Sequence, residues 1–111
     1  MMFGFASERR RLLEEEFLRV AGAMTQLGAE RLYLAGDLAQ ERVTRSSELA
    51  VVIVLETEVP AHRRSDFFVT HLRPRVGTRF HVYTPAEFEE RAGIDPVLRS
   101  TLEVSDPIDV G

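Results

Sequence analysis

The chain has 111 residues, 44% of them apolar, and a formal net charge of -4 from 18 acidic and 14 basic side chains. That length suits one domain able to bury its own core, and the absence of cysteine excludes disulfides, zinc ribbons, thiol nucleophiles and iron–sulfur sites. The acidic balance argues against general nucleic-acid binding. Every basic residue is arginine, which also excludes catalytic lysines, Schiff bases and P-loops.

No apolar run approaches the ~20 residues that cross a bilayer. The opening Met1-Met2-Phe3-Gly4-Phe5-Ala6 is too short for a signal peptide, and neither linker nor repeat divides the chain. The expectation is one cytoplasmic domain over residues 1–111, with a core over about 7–104 and a loose tail at 105–111.

In chain order, Ser7 to Leu27 reads as an amphipathic helix. Leu12, Leu13, Phe17, Val20, Ala21, Met24 and Leu27 share one face, with Ser7 as N-cap and Gly28 just past the end. Glu8 to Arg11 and Glu14 to Glu16 place opposite charges three and four apart, the pattern of a solvated face. Arg31–Ala35 reads as a short strand ending at Gly36, followed by a weak turn near Leu38–Glu41. Within 48–55, the run Ala50-Val51-Val52-Ile53-Val54-Leu55 is apolar and β-branched, the pattern of a central strand buried on both faces. Pro60 to Leu72 predicts a helix that turns Phe67, Phe68 and Leu72 inward and stops before Pro74. Thr78–Tyr83 predicts a third strand. Thr84-Pro85-Ala86-Glu87 joins a capping box to a proline at the first helical position, so a helix runs to about Ala92. Asp95-Pro96 opens a last helical turn with Leu98 and Leu102 apolar. Strands separated by helices predict an α/β (α+β) fold: a small three- to four-stranded mixed sheet with helices packed on it.

Three segments together resemble the minimal nucleotidyltransferase domain of the DNA polymerase beta superfamily. They are Leu32-Tyr33-Leu34-Ala35-Gly36-Asp37, Ser47-Glu48-Leu49-Ala50-Val51-Val52-Ile53-Val54, and Phe80-His81-Val82-Tyr83-Thr84-Pro85-Ala86-Glu87-Phe88. The likeness spans roughly Leu12 to Glu103. In that family a Gly-Ser turn receives phosphate at a helix start. Two aspartates at i and i+2 on one strand face, and a third on the next strand, hold magnesium for nucleotidyl transfer. Carried over residue by residue, the resemblance implies that Gly36 and Asp37 take the phosphate turn, Glu48 and Ala50 the two aspartate positions, and Arg79 the third.

The chain departs from the pattern at each chemical position except Gly36. Asp37 sets a carboxylate where a triphosphate would sit, and like charges repel there. Glu48 keeps a carboxylate, Ala50 removes one, and Arg79 reverses the sign of the third. The expectation is therefore a former cleft lined by Glu48, Ala50, Arg79 and His81, with no metal and no catalytic group beyond the weak candidates Asp37 and Glu48. Arg79 is expected to fill the space of the missing metal, to pair with Glu48 or Asp37, and to stabilise the fold more than a surface residue does.

Other groupings carry less. His81 beside Arg79 reads as a packed or half-exposed histidine. His62, His71 and His81 lie on different elements and form no metal site. Asp37, Glu41 and Glu48 around a turn form a second-rank candidate for magnesium or calcium. Arg63-Arg64 and Arg73/Arg75 sit at helix ends and bear on solubility and the dipole more than on an anion. Ser46-Ser47 lacks a triad partner or glycine elbow.

The leading functional expectation is a pseudoenzyme: a nucleotidyltransferase-fold binding, assembly or antitoxin-like module. The resemblance implies a protein partner, either an all-helical HEPN-type protein in a toxin–antitoxin pair or a further copy in a homo-oligomer. Self-association would run through a sheet edge or the first helix. The alternatives are an active enzyme using Asp37 and Glu48 with one magnesium to move a nucleotide from ATP, and a regulator that holds an anion or nucleotide on Arg79.

Overall fold

One apolar strand organises the chain. Strand β2 (Leu49–Val54) alternates its side chains between two faces, and both faces are covered. Strand β3 (Thr78–Tyr83) runs parallel to it on one side, and β1 (Arg31–Ala35) runs antiparallel on the other. A two-residue β4 (Ile108–Asp109) adds to β1, so the order is β3-β2-β1-β4 in a four-stranded mixed sheet. The computed structural model describes residues 3–110. The expectations for Met1, Met2 and Gly111 lie outside the described residues.

Helices α1 (Phe3–Ala23) and α3 (Arg64–Leu72) cover one face, where Leu13, Val20, Met24 and Phe68 pack on Leu32, Val51, Ile53 and Phe80. Helices α4 (Pro85–Arg91) and α5 (Pro96–Val104) cover the other, bringing Phe88 and Leu98 onto Tyr33, Val52, Val54 and Tyr83. A short α2 (Gly36–Ala39) joins β1 to the loop before β2, and a single 3-10 turn (Ala61–Arg63) leads into α3. Among the described residues, no helix is long and apolar enough to cross a membrane.

The capping box at Thr84 is present as expected. The Thr84 hydroxyl accepts from the Glu87 amide, and the Glu87 carboxylate accepts from the Thr84 amide. Glu87 also takes the guanidinium of buried Arg64, which binds it through both terminal nitrogens and donates to the carbonyls of Val59 and Val82. This one pair joins α3, α4, β3 and the loop before α3. The Arg64 guanidinium and the Thr84 amide hold the Glu87 carboxyl at about 2, well below the usual carboxylate range.

Several expectations are corrected. Helix α1 begins at Phe3, so Ser7 lies inside it and is not its cap. The helix ends at Ala23, a turn follows, and Gly28 then takes the left-handed φ of +87°. Leu12 faces outward, whereas Glu16 is buried and does not belong to a solvated face. The Glu16 carboxylate accepts from both Nε and Nη2 of Arg19, at 2.8 and 2.9 Å, and from the Arg75 amide at 2.6 Å. Arg19 also reaches the Leu72 carbonyl, so the pair ties α1 to the end of α3. Phe67 is not core: Arg64, Phe68 and Leu72 take the inward stripe at spacing four, and Phe67 flanks it, its ring centroid 4.2 Å from that of His71.

Helix α5 is a nine-residue helix rather than one turn, and Leu102 on it is exposed. The segment from Ser105 is not loose. β4 pairs with Arg31 and Leu32, the Ser105 hydroxyl donates to the Leu34 carbonyl at 2.5 Å, and the Val110 amide donates to the Glu30 carbonyl at 3.1 Å. Those bonds satisfy an edge that three strands would have left bare.

Candidate functional site

The expected cleft lies where β1 ends and β2 and β3 begin. The parallel register sets Ala50 beside Arg79 and Val52 beside His81, so these residues share one sheet face. Ala35 pairs with Ala50 across the antiparallel side, which brings the next residue, Gly36, against the Ala50 methyl. Gly36 has φ +66°, and a Cβ built on it would lie 2.9 Å from the Cβ of Ala50. Glycine is needed there twice over, for the left-handed backbone and for the close approach.

Glu48 stands one residue before β2. Its Oε1 accepts from Arg79 Nε at 2.9 Å, the pairing that the sequence anticipates. Both side chains are open to solvent, however, Arg79 at 72% and Glu48 at 48% of full exposure. An exposed pair adds little to stability, which corrects the expectation of a strongly stabilising Arg79. Gly77 completes the arrangement and escaped the sequence reading. A Cβ on it would meet Glu48 Oε2 at 2.6 Å, so the carboxylate lies folded over a bare backbone. The signal was a glycine one residue ahead of a strand, beside the strand that carries the acid.

Asp37 turns away from Arg79. Its Oδ2 accepts from the Ser47 hydroxyl at 2.7 Å, while the Ser47 Oγ accepts from the Thr44 amide at 2.8 Å and the Ser47 carbonyl accepts from Arg9 Nε at 2.9 Å. Ser47 is buried and bonded on all sides, so it holds the 44–48 loop rather than offering a nucleophile. The candidate acidic group Asp37, Glu41 and Glu48 is not assembled. Glu41 lies 3.9 Å from Arg10, and the other two bond to Ser47 and Arg79. Among the described residues, no group of three or more histidine or acidic side chains is placed to hold a metal.

His81 is partly buried further along β3. Burial holds its imidazole below the ordinary histidine range, Arg79 adds to the effect, and Asp95 opposes it. Asp95 was read only as a helix start, and it does more. Its Oδ1 accepts from the amides of Val97 and Leu98, and its Oδ2 accepts from the Tyr83 hydroxyl at 3.2 Å. Burial, with Asp95 adding to it, pushes the Tyr83 phenol up to about 12. His62 precedes α3 and His71 lies on it, across the sheet from the face that His81 shares with Ala50.

The site therefore brings together Gly36, Glu48, Ala50, Gly77 and Arg79, with His81 adjoining, and leaves Asp37 beside it in the loop network. Among solved structures, the chain is similar to one described as a "putative nucleotidyltransferase" from Sulfolobus solfataricus. The TM-score is 0.52 over 80% of this chain and 78% of that one, at 18% identity. The likeness shows the fold: nucleotidyltransferase-like, α+β, built on the four-stranded mixed sheet. No family model matches the sequence, and no curated protein matches it.

Proposed function

We propose that this nucleotidyltransferase-fold chain works by binding and assembly and does not carry out metal-dependent nucleotidyl transfer. The observation that carries the reading is the Glu48–Arg79 ion pair beside Ala50. Of the three positions that the family fills with metal-holding carboxylates, one here is a carboxylate engaged by a guanidinium, one is a methyl group, and one is that guanidinium. Magnesium takes about six oxygen ligands in near-octahedral order. This donor set does not fit a magnesium pair, because it offers one carboxylate and a fixed positive charge that repels a second cation. The Asp37 carboxylate at the turn adds like charge against a triphosphate. No step through a metal is derived for this chain.

What the site retains is a pocket end closed by charge pairing, with Arg79 accessible and Glu48 already its counter-ion. Calorimetry of the purified chain with ATP, with and without magnesium, tests the reading. No heat is expected in either condition. Micromolar binding that requires magnesium overturns it and moves the chain to the transferase alternative.

A further inference from the structure

The assembly reading leaves the partner unnamed, and the distribution of charge over the surface names one. Between Pro60 and Arg75 stand four arginines and a single acid, Asp66, in a chain whose net charge is -4. Arg64 is spent on Glu87 inside the fold. Arg63, Arg73 and Arg75 are exposed, and among the described residues Arg63 and Arg73 make no ion pair. With them on α3 and the loop before it lie Val59, Phe67 and Val69, each 41–47% exposed.

The opposite sheet edge carries the reverse. Past the middle of α5 the chain presents exposed Glu103, Asp106 and Asp109, none in an ion pair among the described residues, against one cation, Arg99. Among them lie Leu102, Val104 and Ile108, each 38–49% exposed. Helix α3 packs along β3 at one edge of the β3-β2-β1-β4 sheet, and β4 with the end of α5 forms the other. Neither edge offers a clean strand for pairing, since the Arg64 guanidinium occupies the Val82 carbonyl and β4 with Ser105 covers β1.

We infer that a second copy of this chain docks head to tail, its Glu103–Asp109 edge against the Arg63–Arg75 edge of the first. Each surface pairs three charges of one sign with three half-exposed apolar side chains, and the two surfaces match each other rather than themselves. Like charges oppose a two-fold pairing of α3 with α3 or of α5 with α5. The contact is therefore heterologous, closing into a ring if the rotation permits and otherwise running on as a filament. It uses neither Glu48 nor Arg79. It rests on the assembly reading only in naming its partner, and the ATP calorimetry above tests that reading separately.

Sedimentation velocity at submillimolar concentration tests the inference. At low salt the wild-type chain is expected to form species beyond a dimer, and these dissociate as salt rises. Arg63→Gln/Arg73→Gln and Glu103→Gln/Asp106→Asn are each expected to lose every species above monomer while keeping the wild-type circular dichroism. Mixed in equal amounts, the two variants retain one intact surface each and restore a 1:1 complex and nothing larger. A monomeric wild type at every salt concentration overturns the inference. So does association unchanged in both variants, or a mixture that fails to pair.

Discussion

Two ion pairs cross from β3 to a neighbouring element, and they are built to opposite ends. At the Tyr83 end, Arg64 is 8% and Glu87 25% exposed, and the guanidinium makes four hydrogen bonds to three separate segments. At the Thr78 end, Arg79 and Glu48 share one bond in open solvent. The first pair determines how helices sit on the sheet. The second sits where a relative of this fold would hold its metal, yet the fold does not lean on it. An end of the molecule whose charges carry little of the stability can exchange them without unfolding, and the departures at Ala50 and Arg79 lie there.

That contrast can be broken by mutation, and the largest effect belongs to the buried pair. Arg64→Ala leaves the Glu87 carboxylate without its partner inside the fold and is expected to cost about 3 kcal/mol in urea unfolding. The same pair predicts an acid transition. The Glu87 carboxyl is held at about 2 against a model value of 4.5. Its folded value lies below its unfolded one, so its contribution is complete above about 4.5 and is lost as pH falls towards 2. Melting temperatures followed from pH 6 downwards are expected to drop less steeply in Glu87→Gln than in wild type.

Glu16→Gln removes the charge from a second buried carboxylate and weakens its bonds to Arg19 and the Arg75 amide, at a cost of about 2 kcal/mol. Gly36→Ala, at the site itself, forces a left-handed alanine against Ala50 and is expected to cost about 1.5 kcal/mol through backbone strain alone. Arg79→Ala is expected to change stability by less than about 1 kcal/mol. It also lifts the His81 titration midpoint in proton NMR, because Arg79 helps to hold that imidazole low. A loss for Arg79→Ala as large as that for Arg64→Ala would erase the distinction between the two ends.

The elements set by dense local signals were legible in the sequence. The β-branched run at 50–54, the Thr84–Glu87 capping box and the Arg31–Ala35 strand stand where their patterns place them. So does the pairing of Glu48 with Arg79, since alternation along two strands fixes which side chains share a face. What escaped reading depends on partners remote in sequence. Glu16 looked solvated because its neighbours are charged, and it is buried because Arg75, 59 positions away, offers an amide. The end of the chain looked loose because two residues carry no periodicity, and they became a strand because β1 had an unpaired edge. Gly77 was silent for the same reason: its meaning lies in a carboxylate on the next strand.

The shortness of β4 has a dynamic consequence. Two residues paired to Arg31 and Leu32, with Val110 on Glu30 and Ser105 on Leu34, form the weakest seam of the sheet. Openings of such a seam are local and low in free energy, so hydrogen exchange along the outer edge of β1 runs ahead of exchange within β2. Each opening bares a strand of apolar residues to solvent and to any other chain in solution. The 105–110 segment thus acts as a gatekeeper, and trimming it raises the tendency to aggregate well before it lowers the melting point.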